Sequence, residues 1–201
     1  MYARSTTIHG KPENIDAGMR FIESEAWPTM DEIEGCLGLS CLVDRESGQA
    51  IATSAWSTQD AMRSSDDRLR PIRERGREIF GGSMQVDEWE IGVMHRAEHG
   101  EFCRVTWAQG SDMDRMLEVF KYETMPGVEE LDGFCSASLL MNRDTGMVCV
   151  TTTWSTREEM QSSRQSADQL RKDAADNTGM EILEVREFEL AYAHLHVPEL
   201  V

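Results

Sequence analysis

The sequence predicts an α+β protein made of two tandem β-α-β-β-α-β units. Three observations lead to this prediction: an internal repeat, a common order of strand-like and helix-like segments in both copies, and a length of 201 residues. That length suits two domains of about 100 residues better than one. We assign the first copy to residues 1–98 and the second to residues 99–201.

The repeat becomes visible when the sequence is compared with itself. A shift of 98 residues aligns 28–65 with 126–163 without a gap, and 14 of these 38 pairs are identical. Chance alone predicts about two identities over such a stretch. The identical pairs include Pro28/Pro126, Gly35/Gly133, Arg45/Arg143, Gly48/Gly146, Trp56/Trp154, Met62/Met160 and Ser65/Ser163. The chain is therefore predicted to be a duplication.

The first strand and first helix of each copy are predicted from their periodicity. Strands are expected at 2–8 and 102–108, and each is followed by apolar residues that recur every three or four positions, as on one face of a helix. Pro126-Gly127 predicts the end of the helix in the second copy. The helical stripes are Ile15, Met19, Ile22 and Ala26 in one copy, and Met113, Met116, Leu117 and Phe120 in the other.

A hairpin and a second helix follow in each copy. Strands at 36–43 and 49–56 flank the loop 44–48, which ends in Gly48 and suits a hairpin. The next helix begins after Thr58 or Thr156, and Thr156 with Glu159 forms a capping box. Pro71 is expected to kink or divide that helix in the first copy. Final strands are predicted near 84–94 and 180–193, with 95–101 as the linker between the copies.

This order of elements predicts the ferredoxin-like fold, in which two helices cover one face of a four-stranded antiparallel sheet. The other face of each sheet would expose a large apolar patch if it stayed uncovered. We therefore expect the two copies to pack sheet to sheet within one chain.

Composition excludes several classes of partner. The formal net charge is -17, from 20 basic and 37 acidic residues. An acidic surface repels phosphate groups, so neither nucleic acid nor a membrane surface is an expected partner. The N-terminal segment lacks the apolar core of a signal peptide, and five cysteines without a Cys-x-x-Cys motif predict free thiols in the cytoplasm.

The second copy resembles the antibiotic biosynthesis monooxygenase-like (ABM) domains of the dimeric α+β barrel superfamily. Three features carry the resemblance: the turn at Pro126-Gly127, the segment Gly133-Phe134, and the start of the second helix at Trp154-Ser155-Thr156. The first copy matches less closely, since Trp27-Pro28 replaces the turn and Cys36 stands in place of Phe134. The resemblance implies an intramolecular dimeric α+β barrel that replaces the usual homodimer of the family. Further pairing of two such chains is compatible with the sequence.

The resemblance implies a function in binding a small hydrophobic or aromatic molecule, with no cofactor and no metal. Cofactor-independent monooxygenases of this family bind a phenol between sheet and helices, and its anion reacts with oxygen. Strand alternation places Arg4 and Thr6 on the same face of their strand, and a buried arginine could hold a phenolate or carboxylate. No catalytic base is assigned. The candidate pocket residues are Arg4, Thr6, His9, Trp56, Arg104, Thr106, Trp107 and Trp154.

Other interpretations remain open from the sequence. The duplicated tryptophans are also typical of core packing, and Arg4 and Arg104 could pair with acidic neighbours. The chain could then be a binding or assembly module without catalysis. Haem degradation is the least favoured alternative. Its usual asparagine, tryptophan and histidine are replaced here by Thr6, Ser65 and Glu74, and by Thr106, Ser163 and Lys172. His194 and His196 form an isolated His-x-His pair for which the sequence declares no further metal ligand.

Overall fold

Each repeat has the order β-α-β-β-α-β in a computed structural model that describes residues 1–200. No helix in this range is long and apolar enough to cross a membrane. The elements of the first repeat are β1 (Tyr2–His9), α1 (Ile15–Phe21), α2 (Trp27–Asp31), β2 (Cys36–Asp44), β3 (Gln49–Trp56), α3 (Gln59–Ser64), α4 (Asp66–Phe80) and β4 (Ser83–Arg96). Those of the second are β5 (Phe102–Gln109), α5 (Met113–Val119), α6 (Met125–Glu129), β6 (Phe134–Asn142), β7 (Met147–Trp154), α7 (Arg157–Ser162), α8 (Arg164–Thr178) and β8 (Glu181–Leu195).

The strands confirm the predicted fold class. They follow the closed order β1-β3-β2-β8-β5-β7-β6-β4. The hairpins β2–β3 and β6–β7 pair antiparallel, and β3 and β7 also pair with the first strand of their own repeat. This is the antiparallel sheet arrangement of tandem ferredoxin-like units in a dimeric α+β barrel.

The long strands β4 and β8 each belong to two compact units. Unit 1 contains residues 1–89 and 189–197, and unit 2 contains residues 90–188 and 198–201. The second half of β8 pairs with β2, for example His194 opposite Leu39, and the second half of β4 pairs with β6. Because β4 runs on to Arg96, the segment between the repeats is shorter than the predicted linker. Each repeat therefore contributes half of its last strand to the unit that the other repeat mainly forms.

The first helical region of each repeat continues through a wider turn. Residues 22–26 and 120–124 form π-helical turns, so that the amide of Trp27 bonds to the carbonyl of Ile22 and that of Met125 to the carbonyl of Phe120. Pro126 was predicted to end the helix, and that prediction is wrong, since α6 continues to Glu129. The preceding turn already breaks the regular i→i−4 ladder, so the amide that proline lacks costs little at this position.

The second helical region is divided in both repeats at a serine. The hydroxyls of Ser65 and Ser163 donate to the carbonyls of Met62 (2.7 Å) and Met160 (2.8 Å), between α3 and α4 and between α7 and α8. Helix α4 runs without interruption through Pro71, so the predicted division at that residue is wrong. The predicted caps are confirmed, since Thr58 and Thr156 accept from the amides three residues on, both at 3.1 Å.

The core of each unit lies between its helices and its sheet. Trp56 and Trp154 are fully buried, as are the equivalent methionines Met62 and Met160 at the start of the second helical region. Phe80 closes the far end of the unit 1 core from the last turn of α4. All five cysteines are free thiols, as predicted, and only Cys36 is partly exposed.

Candidate functional site

Unit 2 contains a cavity of about 70 Å³ between its sheet and its helices. Its floor is formed by alternate residues of β5, β6 and β7, including Thr106, Ala137 and Trp154, and its roof by α5, α6 and α8. Of its described lining residues, Arg171 is the one charged side chain. The remaining wall is apolar apart from threonine hydroxyls, so the cavity suits an apolar molecule.

Unit 1 contains a cavity of about 60 Å³ at the equivalent place. Thr6, Ala52 and Ser54 contribute to its floor, and Arg4 and Arg73 lie in its wall. The same site therefore occurs in both copies of the duplication. The arginine Arg73 of α4 corresponds to Arg171 of α8 at the spacing of 98 residues.

The volume of these cavities limits what they accept without movement. An engineered protein cavity that binds benzene has a volume of about 150 Å³. The unit 2 cavity of about 70 Å³ is lined by Met116, Met125 and Met180. Methionine side chains are flexible and adapt to an irregular occupant. A small aromatic ligand would therefore enter by displacing these side chains.

Arg4 is held by acidic partners in unit 1. Its side chain is 4% exposed, and it donates from Nη2 to Glu88 Oε1 at 2.9 Å and lies 3.6 Å from Asp66 Oδ1. A longer bond of 3.4 Å joins it to the hydroxyl of Ser65. The guanidinium is therefore neutralised by the protein, although it lies in the cavity wall.

Arg104 is held more tightly at the equivalent position of unit 2. Its side chain is 2% exposed and pairs with Glu187 Oε1 at 3.0 Å. It also donates to the Ser163 hydroxyl at 3.1 Å and to the Met160 carbonyl, and its Cζ lies 5.9 Å from the Trp154 ring centre. Burial lowers the pKa of Arg104, while the hydrogen bond from its guanidinium to Glu187 opposes that shift. Arg104 does not line the cavity.

The carboxylates that hold these arginines are themselves perturbed. Burial raises the pKa of Glu187, but hydrogen bonds from Arg164 and Arg104 outweigh it, so the pKa is lowered overall. The pKa of Glu88 is lowered by the same balance of burial against Arg4 and Arg63. The acidic pairing that the sequence left open as an alternative is thus what the structure shows for Arg4 and Arg104.

The two tryptophans differ in their relation to the cavities. Trp154 lines the unit 2 cavity, whereas Trp56 lies outside the lining of the unit 1 cavity. Their indole N–H groups donate to neighbours on the same strand, Trp56 to Ser54 at 2.9 Å and Trp154 to Thr152 at 3.2 Å. Both rings are therefore fixed parts of the core, and Trp154 also presents a face to the cavity.

His9 and Trp107 are not brought to either cavity. Each occupies an odd-numbered position of a first strand whose even-numbered residues face the helices, so strand alternation directs both side chains away. His9 is exposed at the end of β1, opposite Gln49. Trp107 packs against Phe188, with ring centres 6.4 Å apart.

The positions relevant to haem are occupied by groups with other partners. Ser65 and Ser163 are buried beside the two arginines. Glu74 accepts a hydrogen bond from Arg77, and Lys172 donates to Asp176. Among residues 1–200, no group of three or more His, Cys, Asp or Glu side chains could hold a metal ion.

The sequence reasoning missed Arg73 and Arg171, which both line the cavities. The available signal was their recurrence at a spacing of 98 residues within the second helix. Charged positions on a helix usually face solvent, however, and only the structure shows that these two side chains lie along the wall.

Comparison with known proteins identifies relatives along the whole chain. No family model matches the sequence. The uncharacterized protein Rv2557 of Mycobacterium tuberculosis is 43% identical over 206 residues, covering 100% of this chain and 92% of that protein. Rv2558 of the same organism is 44% identical over 207 residues, covering 100% of this chain and 88% of that protein. The chain belongs to the family of these two proteins.

Solved structures show the fold of this family. A candidate monooxygenase from Lactobacillus acidophilus has a TM-score of 0.69 at 10% identity, over 97% of this chain and 96% of its own. An anthrone oxidase-like protein has a TM-score of 0.66 at 8% identity, over 100% and 94%. A ferredoxin-fold protein related to antibiotic biosynthesis monooxygenases, from Listeria monocytogenes, has 0.52 at 8%, over 94% of both chains. The ABM-like dimeric α+β barrel fold is thereby confirmed.

Proposed function

We propose that each unit binds a small hydrophobic or aromatic molecule in the cavity between its helices and its sheet. The observation that carries this proposal is the recurrence of the cavity in both repeats, at the same place and with similar volumes of about 70 and 60 Å³. A packed core normally has few voids larger than a water molecule. Two equivalent voids with apolar walls therefore favour a binding role.

The cavity walls favour binding over proton transfer by the protein. Neither set of described lining residues includes a carboxylate or a histidine, and the polar groups are hydroxyls and arginines. A general base must come within hydrogen-bond reach of the proton that it removes. Binding without catalysis therefore needs no group beyond those in the walls.

Cofactor-independent oxygenation of a phenol is the second candidate function. Trp154 in the floor and Arg171 in the roof both line the unit 2 cavity, where the ring could stack on an aromatic substrate and the guanidinium could lower the pKa of a phenol. Proteins of the same fold named as a candidate monooxygenase and as anthrone oxidase-like support this candidate. Because the described lining residues include no carboxylate or histidine, a water molecule would have to accept the proton of the phenol.

Filling the unit 2 cavity tests the binding proposal. Ala137 lines it, and Leu39 stands at the equivalent position of unit 1, so Ala137→Leu is a change that the fold already accommodates once. We expect 2-naphthol to bind both units of the native protein in calorimetric titration, and Ala137→Leu to weaken the unit 2 site several-fold while the unit 1 site still binds. Ser138→Thr, which alters the next residue outside the lining, is the matched control and should bind like the native protein.

Absence of 2-naphthol binding to the native protein, or equal binding to Ala137→Leu, contradicts the proposal. Oxygen uptake with anthrones and hydroquinones then separates the two candidate functions. Uptake that falls in Ala137→Leu supports oxygenation in the cavity. Flat traces from a protein that binds 2-naphthol support a binding module.

A further inference from the structure

We propose that the ligand of the unit 2 cavity is an apolar or aromatic carboxylic acid, and that Arg171 binds its carboxylate. This inference rests on the proposed function and adds the chemical class of the ligand. It replaces Arg104, the anion-binding candidate from the sequence, with an arginine that lines the cavity.

Arg171 has donors to spare at the cavity wall. Its side chain is 17% exposed, and its described partner is Asp168, which is one turn earlier on α8 and 61% exposed. Only Nη2 takes part in that bond, whereas a guanidinium carries five N–H donors. A carboxylate can therefore bind Arg171 without displacing a buried partner.

The surroundings of Arg171 carry an excess of positive charge. Three arginines pair here with only two carboxylates. Arg104 and Arg164 share Glu187, and Arg171 pairs with Asp168. The positive charges of Arg171 and Arg164 also help to lower the pKa of Arg104. In a chain with a net charge of -17, this is a local reversal of sign. A ligand anion would relieve the repulsion among these arginines.

The unit 1 cavity shows the contrasting arrangement. Arg73 lies in its wall and is 13% exposed, but its partner Asp66 stands where unit 2 has Arg164. Asp66 is only 33% exposed and is shared with Arg70 at 2.6 Å and with Arg4 at 3.6 Å. A ligand carboxylate at Arg73 would meet this fixed negative charge. The carboxylic acid is therefore assigned to unit 2.

The cavity wall away from Arg171 determines which chemical group the other end of the ligand should carry. Trp154, Leu139 and Val150 form an apolar surface, and Phe120 faces the same space. A ligand with an aromatic ring and a short chain to its carboxylate matches both the apolar surface and Arg171. 4-Phenylbutyrate has this form, and 4-phenylbutan-1-ol has the same body without the charge.

Titration of the full chain with this matched pair tests the inference. We expect Arg171→Gln to weaken 4-phenylbutyrate binding by about ten-fold or more, which is the value of a charge-assisted hydrogen bond, and to leave 4-phenylbutan-1-ol binding unchanged. Lys172→Gln removes a neighbouring positive charge of α8 that lies outside the cavity lining, so it is the control and should change neither ligand. Arg73→Gln, at the equivalent position of unit 1, should not reproduce the loss of 4-phenylbutyrate. Asp168→Asn frees Arg171 and should strengthen binding of the carboxylate alone. It keeps the test valid if Arg171→Gln fails to fold.

The outcomes separate this inference from the function on which it rests. Binding of both ligands that is indifferent to Arg171→Gln and to Asp168→Asn overturns the carboxylate assignment and leaves the cavity function standing. Loss of the carboxylate in Arg73→Gln instead overturns the assignment to unit 2. Failure of both ligands and of 2-naphthol to bind the native protein overturns the proposed function itself.

Discussion

The space between the two helical regions is filled by a side chain of a different region in each unit. In unit 1 the ring of Phe80 lies against Gly18, where an added Cβ would come within 2.1 Å of the ring. At the equivalent positions of unit 2, α8 ends in Thr178 and α5 carries Met116, and both line the cavity. The large side chain has moved from the second helical region to the first. Compensation of this kind preserves packing while it changes the shape of the cavity.

The charges near the cavities have exchanged places as well. Asp66 and Arg70 of α4 correspond to Arg164 and Asp168 of α8, so the acid and the base are reversed within an i, i+4 pair. Such a pair contributes only about 0.2–0.5 kcal/mol to a surface helix, with the order acid before base slightly favoured. The exchange does affect the nearby buried arginine differently in the two units, because Arg4 has an acid beside it and Arg104 has a base. The exchange therefore changes the charge beside each buried arginine at little cost to the helix.

The largest expected effect comes from breaking the compensation between Gly18 and Phe80. Phe80→Thr removes a buried ring and should lower the free energy of unfolding by about 3–5 kcal/mol, while Gly18→Met should clash with that ring and cost about 1–3 kcal/mol. The double variant restores the unit 2 pair and should cost less than the sum of the two. Urea unfolding of the four proteins measures the coupling. An additive double variant would show that the two positions do not compensate.

Local patterns predicted the elements of both units well, because strand alternation, caps and hairpin glycines act within a few residues. Acidic partners for Arg4 and Arg104 were one open interpretation, but the particular carboxylates could not be predicted, since Glu88 and Glu187 lie 84 and 83 residues from the arginines that they hold. The outcome at the two prolines depends on the backbone around them. Pro126 costs its helix little because the preceding π-helical turn has already left the regular hydrogen-bond ladder, whereas α4 continues through Pro71.

A smaller difference is expected from the buried arginines. Arg104→Met should destabilise the protein by about 3 kcal/mol, because it removes the buried donor to the Ser163 hydroxyl and leaves Glu187 with Arg164 alone. Arg4→Met should cost less, since its partners Glu88 and Asp66 are more exposed and retain bonds to Arg63 and Arg70. Thermal unfolding of both variants tests this order. Equal losses would mean that the two arginines are equivalent.

The smallest expected effect is a difference in pH dependence. The folded-state pKa of Glu187 lies below its ordinary value, so it contributes stability above the unfolded-state pKa of about 4.3, and that contribution is lost as the pH falls through the folded value. Between pH 6 and pH 3, the native protein should therefore lose more stability than Glu187→Gln does, by less than about 1 kcal/mol because the carboxylate is partly exposed. Glu88→Gln provides the comparison for unit 1 and should show a smaller difference. Parallel curves for native protein and Glu187→Gln would contradict the lowered pKa.

The division of β4 and β8 between the units also affects the order in which the strands can pair during folding. On the edge of β2 that faces away from β3, the partner of Leu39 is His194, far along the chain, so this edge stays unpaired until the second half of β8 exists. Contacts of such long sequence separation form slowly, and an unpaired strand edge is prone to aggregation in the meantime. During synthesis, β1, β2 and β3 would leave the ribosome long before residues 189–195 are made. Unit 1 therefore begins first but receives its last strand segment after all the strands of unit 2 have been made.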